Sequence, residues 1–272
     1  MLTSFHNTDT PVYAGSAKPL IKQPFYAPGI HGSNGLGGIS IPDPSFETKN
    51  AIGEEDTMLD ALYSAIEAYD SQLALVAVGP LTNIAKLFLK YPQAKQMIKV
   101  LSIMGGGVGV YNLETESEFN IYNDPKAANV IFEDPELQKK TILSPLDVTH
   151  KVICTADIQD RILNKPHTTP LRQMVYDLLT FFANAYKTHQ DFKDGPPIHD
   201  QVAVFVLLSE YAVSSIGLEI KRLKIHVEEA GEHEGKLICQ ADGDIRVVLN
   251  LDVKAFWEDA LEVLSIADDL IK

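Results

Sequence analysis

The chain has 272 residues, 45% of them apolar and 22% charged, with a formal net charge of −14. That length and apolar share suit one large α/β domain with an ample core. The charge disfavours nucleic acid and anionic membrane as partners. No apolar run approaches the ~20 residues that span a bilayer, and no signal peptide opens the sequence. Cys154 and Cys239 are too few and too far apart for a disulfide framework or a zinc site, so a reducing compartment, the cytosol, is expected.

In chain order, the segment up to residue 20 reads as a helix end, a turn and a strand, "PVYAG". "APGIHGSNGLGG" (27–38) then places His31 in a glycine-rich loop. "DTMLDALYSAIEAYD" (56–70) carries Met58, Leu59, Leu62, Ala65 and Ile66 on one helical stripe, with Asp56 or Thr57 as N-cap. "LALVAVG" (73–79) is a continuous apolar run ended by Gly79 and Pro80, which predicts a strand buried on both faces. A helix at 81–91, a strand at 99–105, a short helix at 124–134 opened by Pro125, and a strand at 140–149 interrupted near Pro145 follow. This β-α-β-α-β order predicts a mostly parallel central sheet flanked by helices. In such a sheet, ligands bind beyond the carboxyl ends of the strands, here after Val78, Met104 and Leu146. The last third predicts long helices at 171–190 and 199–211, three short strands at 223–229, 235–240 and 244–250, and a final helix from Val253. Without repeats or linkers, one domain is the simplest organisation.

Four stretches bear on chemistry. "IMGGGVG" (103–109) follows a strand, but its glycines break the G-x-G-x-x-G register and no helix follows to receive phosphate; a tight turn or a close backbone approach is the simpler reading. In "ESEFNIYNDP" (116–125) an extended backbone would turn Glu118 and Asn120 to one side. That pair suits vicinal hydroxyls, each of which donates and accepts; a solvated loop with a buried Phe119 is the competing and favoured account. In "PIHD" (197–200) Asp200 either caps or begins the next helix, or ligates a metal, and an imidazole such as that of His199 ordinarily titrates near neutrality, as suits a proton donor. In "VAVGPLTN" (76–83) a Gly-Pro turn frees strand carbonyls for calcium, or is merely a turn.

In order and spacing, "GIHGSNGLGG", "VAVGPLTNIA", "IMGGG", "EFNIYNDPKAA", "PLDVTH" and "PIHDQVAV" together resemble the inosine–uridine nucleoside hydrolase family, the nucleoside N-ribohydrolases, over nearly the whole chain. The first block is most similar to the eukaryotic uridine-type branch. The resemblance implies an enzyme, a glycosidase of nucleoside salvage that hydrolyses the N-glycosidic bond of a ribonucleoside to ribose and free base through an oxocarbenium-like transition state. It implies Ca2+ held by Asp200 and the backbone carbonyl of Val78, orienting the sugar hydroxyls and lowering the pKa of a bound water. It implies ribose contacts from Met104, Asn112, Glu118 and Asn120, protonation of the leaving base by His199, and a place near the base for His31. It also implies a homo-oligomer.

Family members open with a strand ending in D-x-D-x-x-x-D-D, the source of the general base and two calcium carboxylates. That pattern is absent here, and Asp9 in "NTDT" has no second carboxylate beside it. The expectation is therefore a single nucleoside hydrolase-like domain over residues 1–272 that is N-terminally incomplete, with its strand-helix unit encoded upstream and calcium poorly held. The alternative is a catalytically impaired nucleoside-binding or partner protein.

Overall fold

The computed structural model describes residues 10–32, 35, 37, 51–52, 55–69, 71–213 and 216–271. Asp9 and part of "GIHGSNGLGG" lie outside the described residues. The strands are β1 (Val12–Tyr13), β2 (Ala51–Ile52), β3 (Ala74–Ala77), β4 (Val100–Met104), β5 (Thr141–Ser144), β6 (Glu219–Val227), β7 (Leu237–Ala241) and β8 (Ile245–Asn250). Six of them form one sheet in the order β3-β4-β5-β8-β6-β7, while β1 and β2 pair in parallel by themselves. Strands β3, β4, β5 and β8 run parallel, and β6 runs antiparallel to both β8 and β7.

The period of two decides which side chain faces which layer. Leu101 and Ile103 of β4 join the core on one side of the sheet, with Phe88, Ile131 and Phe132. Val100 faces the other side, with Val202, Phe205, Phe256 and Trp257. The same split separates Leu143 from Ile142 on β5. Both faces are thus covered, as a parallel sheet requires. Truncating a fully buried ring such as Phe132 to alanine costs about 3–5 kcal/mol.

Several sequence expectations need correction. Strand β3 is not buried on both faces: Val76 is 37% and Val78 40% exposed, because among the described residues β3 pairs only with β4. The helix expected at 56–70 begins at Glu55, which puts Asp56 and Thr57 inside its first turn. The strand expected at 140–149 ends at Ser144, since Pro145 turns the chain into the helix Leu146–Thr149. The helix at 199–211 is two pieces, Asp200–Phe205 and Leu207–Glu210, meeting at Val206. The long helix Pro170–Gln190 and the last helix Val253–Ile271 stand as expected. They are joined by the buried Arg172, whose guanidinium donates to Asp268 and to Ser265 Oγ. No helix among the described residues is long and apolar enough to cross a membrane.

Candidate functional site

Strand β4 ends at Met104 and gives way to residues 105–107, all buried. Gly106 has φ +75°, and Leu237 packs where a Cβ would project, so this turn needs glycine. The turn brings the Gly106 N–H to Glu118, which accepts it at 2.8 Å. Glu118 also accepts from Asn120 N at 2.8 Å and Ile121 N at 3.1 Å, as N-cap of the helix Phe119–Asn123. The extended backbone expected here is therefore wrong. Glu118 and Asn120 are held together by capping, because an acidic side chain before a free helix end satisfies its orphan N–H groups. The solvated-loop account fails too, since Glu118 is 3% exposed. Burial raises its pKa against those three N–H donors, and the nearby Asp200 charge adds to the rise. Asn112 Oδ1 accepts from Phe119 N at 3.1 Å, and the Asn120 amide lies 3.4 Å from both the Met104 carbonyl and its sulfur.

Two further acceptors hold the loop after Gly106. The Asp147 carboxylate takes the N–H groups of Val108 and Gly109, each at 2.8 Å. Asp147 belongs to the turn after β5, so the ends of β4 and β5 are tied together. That same turn supplies Thr149, whose hydroxyl is 2.8 Å from His199 Nδ1. The Tyr186 hydroxyl is 2.8 Å from His199 Nε2. Both ring nitrogens are thus engaged, so one donates and the other accepts. Burial, with lesser contributions from His150 and His31, drops the His199 pKa to about 3, so at neutral pH His199 is an uncharged imidazole. Burial also pushes the Tyr186 phenol up.

Asp200 follows as the first residue of its helix, with His199 at the cap position and no side-chain cap bond. Of the structural roles expected for Asp200, it begins the helix and does not cap it. Its carboxylate accepts no hydrogen bond among the described residues and keeps an open side toward a hollow. Enough protein surrounds it that desolvation raises its pKa to about 6. His31 ends the short helix Pro28–His31. Its ring lies 5.9 Å from that of Phe119 and 6.1 Å, edge-on, from that of Phe182, and burial lowers its pKa.

These pieces converge. A hollow of about 210 Å³ beyond the carboxyl ends of β3, β4 and β5 is lined by His31, Val78, Met104, Asn112, Glu118, Asn120, His199 and Asp200. Every residue singled out from the sequence is there. Tyr186 and Gln190, which also line it, went unnoticed because both lie on an amphipathic helix whose apolar stripe accounts for its own pattern. Their i, i+4 spacing at the end of that helix, just before "DGPPIHD", was the available signal. Asp200 and the Val78 carbonyl are hard oxygen donors of the kind calcium takes. They make two of the six to eight it needs, and the described residues hold no cluster of three or more His, Cys, Asp or Glu that could bind a metal. The described residues alone therefore do not make up a calcium site.

A sequence profile described as "Inosine-uridine preferring nucleoside hydrolase" matches residues 1–258. A uridine nucleosidase of Saccharomyces cerevisiae is 38% identical over 96% of this chain and 80% of its own. A pyrimidine-specific ribonucleoside hydrolase of Klebsiella pneumoniae is 35% identical over 79% of this chain and 66% of its own. Among solved structures, a purine-preferring ribonucleoside hydrolase from Gardnerella vaginalis superposes with a TM-score of 0.83 at 25% identity, covering 98% of this chain and 83% of that one.

Proposed function

The chain belongs to the inosine-uridine preferring nucleoside hydrolase family, enzymes that hydrolyse the N-glycosidic bond of ribonucleosides, and from that premise we propose that its preferred substrate is uridine, cleaved in the hollow that Asp200 and His199 line. The preference rests on the yeast uridine nucleosidase and the pyrimidine-specific relatives. The observation that carries the site is convergence: residues as far apart in sequence as His31 and Asp200 line one hollow.

In this reading Met104, Asn112 and Asn120 hold the ribose, while Glu118, its oxygens committed to backbone N–H groups, keeps their loop in shape. Cleavage leaves positive charge on the sugar and negative charge on the departing base. The base lies toward His31, Tyr186 and His199. Because His199 is neutral and bonded to Tyr186, the two act as a hydrogen-bonded pair. The Tyr186 hydroxyl faces the base, and His199 fixes its orientation. His31 and Phe119 offer flat, half-apolar surface against the ring. Calcium is the ion proposed, with Asp200 and the Val78 carbonyl among its ligands. Residues 1–272 belong to one nucleoside hydrolase-like domain, which acts in the cytosol and assembles as a homo-oligomer.

The test is incubation of the purified chain with uridine and, separately, inosine in calcium-containing buffer, scored for reducing sugar and free base. Release of ribose and uracil, faster than that of hypoxanthine, is expected. Equal or faster inosine cleavage refutes the preference. Uridine that binds but stays intact favours the non-catalytic binding protein instead.

A further inference from the structure

A second cavity, of about 520 Å³, opens beside the first. Asn112, Leu113 and Gln190 line both, so the two adjoin. Its own walls come from Tyr111, Glu114, His150 and Phe192. Nothing in the function just proposed uses this space.

A ribonucleoside has three directions in which it can extend from the sugar ring. Resting on the reading above, the cis-diol is toward Asp200 and Val78, and the base is toward His31, Tyr186 and His199. The exocyclic 5′ carbon is left with the remaining side of the hollow, where Asn112 and Leu113 border the second cavity. We propose that this cavity is a subsite for an uncharged, flat substituent carried on the 5′ oxygen of the nucleoside.

The lining specifies that chemistry. Tyr111 and Phe192 supply aromatic surface, and His150 meets the Phe192 ring edge-on at 4.9 Å. Such walls favour a ring that can stack or meet them at an edge. Among the described residues no lysine or arginine lines the space, whose basic side chains are the imidazoles of His150 and His189; Glu114 is an exposed acid on its wall, and the whole chain is acidic. A 5′-phosphate would meet repulsion from Glu114 and find neither the ammonium nor the guanidinium that usually holds one. His150 is held neutral by burial, with its pKa lowered to about 4. The volume exceeds that of the sugar hollow more than twofold, which is room enough for an aromatic acyl group.

Calorimetric titration of the full chain with uridine and with 5′-O-benzoyluridine tests the assignment. The benzoylated probe is expected to bind within about fivefold of uridine or more tightly, whereas a blind end at the 5′ oxygen would weaken it by more than that. Glu114→Trp puts a large ring on the wall of the cavity at an exposed position that is not itself assigned to the sugar. It is expected to weaken the benzoylated probe by about fivefold or more relative to uridine; an equal effect on both, or none, overturns the subsite. Uridine 5′-monophosphate should bind no more tightly than uridine, and tighter binding refutes the uncharged assignment. If uridine itself fails to bind, the proposed function falls; if uridine binds and the benzoylated probe does not, only the subsite falls.

Discussion

The two walls of the hollow are built on different physics. The wall at the ends of β4 and β5 is a closed hydrogen-bond system. Glu118 takes three backbone N–H groups, Asp147 takes two, and Asn112 takes one. The opposite wall, from the helix end at Tyr186 and the loop at His199, is aromatic: Tyr186, His199, His150 and Phe192 meet ring to ring, and the Tyr186 hydroxyl is 2.8 Å from His199 Nε2. Two carboxylates show the contrast most plainly. Glu118 is buried with its oxygens satisfied, whereas Asp200 accepts no donor among the described residues. In the function proposed above, the first wall fixes shape and the second carries the groups that assist cleavage.

The largest expected effect comes from breaking the aromatic wall. Replacing Tyr186 by Phe, or His199 by Phe, removes one end of a 2.8 Å contact and should lower kcat for uridine by roughly 10²–10⁴-fold, the usual contribution of a positioned proton donor. A riboside with p-nitrophenol as leaving group needs little help to depart, so its loss should be far smaller. Equal losses on both substrates would mean that the pair shapes the pocket and does not assist departure.

The carboxylates sharpen the comparison on stability. Glu118→Ala strands three buried N–H groups and should cost about 3 kcal/mol or more in denaturant unfolding. Asp200→Asn, measured in chelator, should leave stability unchanged or raise it by up to about 1 kcal/mol, the open side of that carboxylate having kept part of its hydration. Yet Asp200→Asn should be the more damaging of the two to turnover per folded molecule. If both variants lose stability alike, the division between the walls is not real.

Much of this was legible before any coordinates. Strands announced themselves as apolar runs ended by Gly or Pro, and the β-α-β order predicted the mostly parallel sheet. The motifs after Val78, Met104 and Leu146 named residues that line one hollow. What the sequence hid were relations with no local period. Glu118 was assigned a face by an extended backbone, but the fold made it a helix cap; only the approach of Gly106 from another loop explains its burial. Tyr186 was invisible because an amphipathic helix already justifies an aromatic at that spacing. Val76 and Val78 read as fully buried because an apolar strand does not say whether a neighbour lies on each side.

The smallest effect concerns the back of the aromatic wall. His150 Nε2 is buried without a partner among the described residues, and burial has lowered the pKa of the ring from 6.5 to about 4. A base whose folded pKa is depressed gives stability that is fully present above its unfolded pKa and lost as pH falls through the folded one. The wild-type chain should therefore weaken between pH 6.5 and pH 4, because the unfolded state takes up a proton that the folded ring resists. His150→Phe keeps a ring against Phe192 and removes both the orphaned nitrogen and the titration. Melting the two proteins side by side should show the variant gaining about 1–2 kcal/mol on the wild type over that acid interval, after allowance for the part of the ring that stays hydrated. Other carboxylates and histidines titrate in the same range, so the difference between the two proteins carries the information, not either curve alone. Parallel curves would show that His150 is hydrated in solution and that this wall is wetter, and more like its counterpart, than its ring contacts indicate.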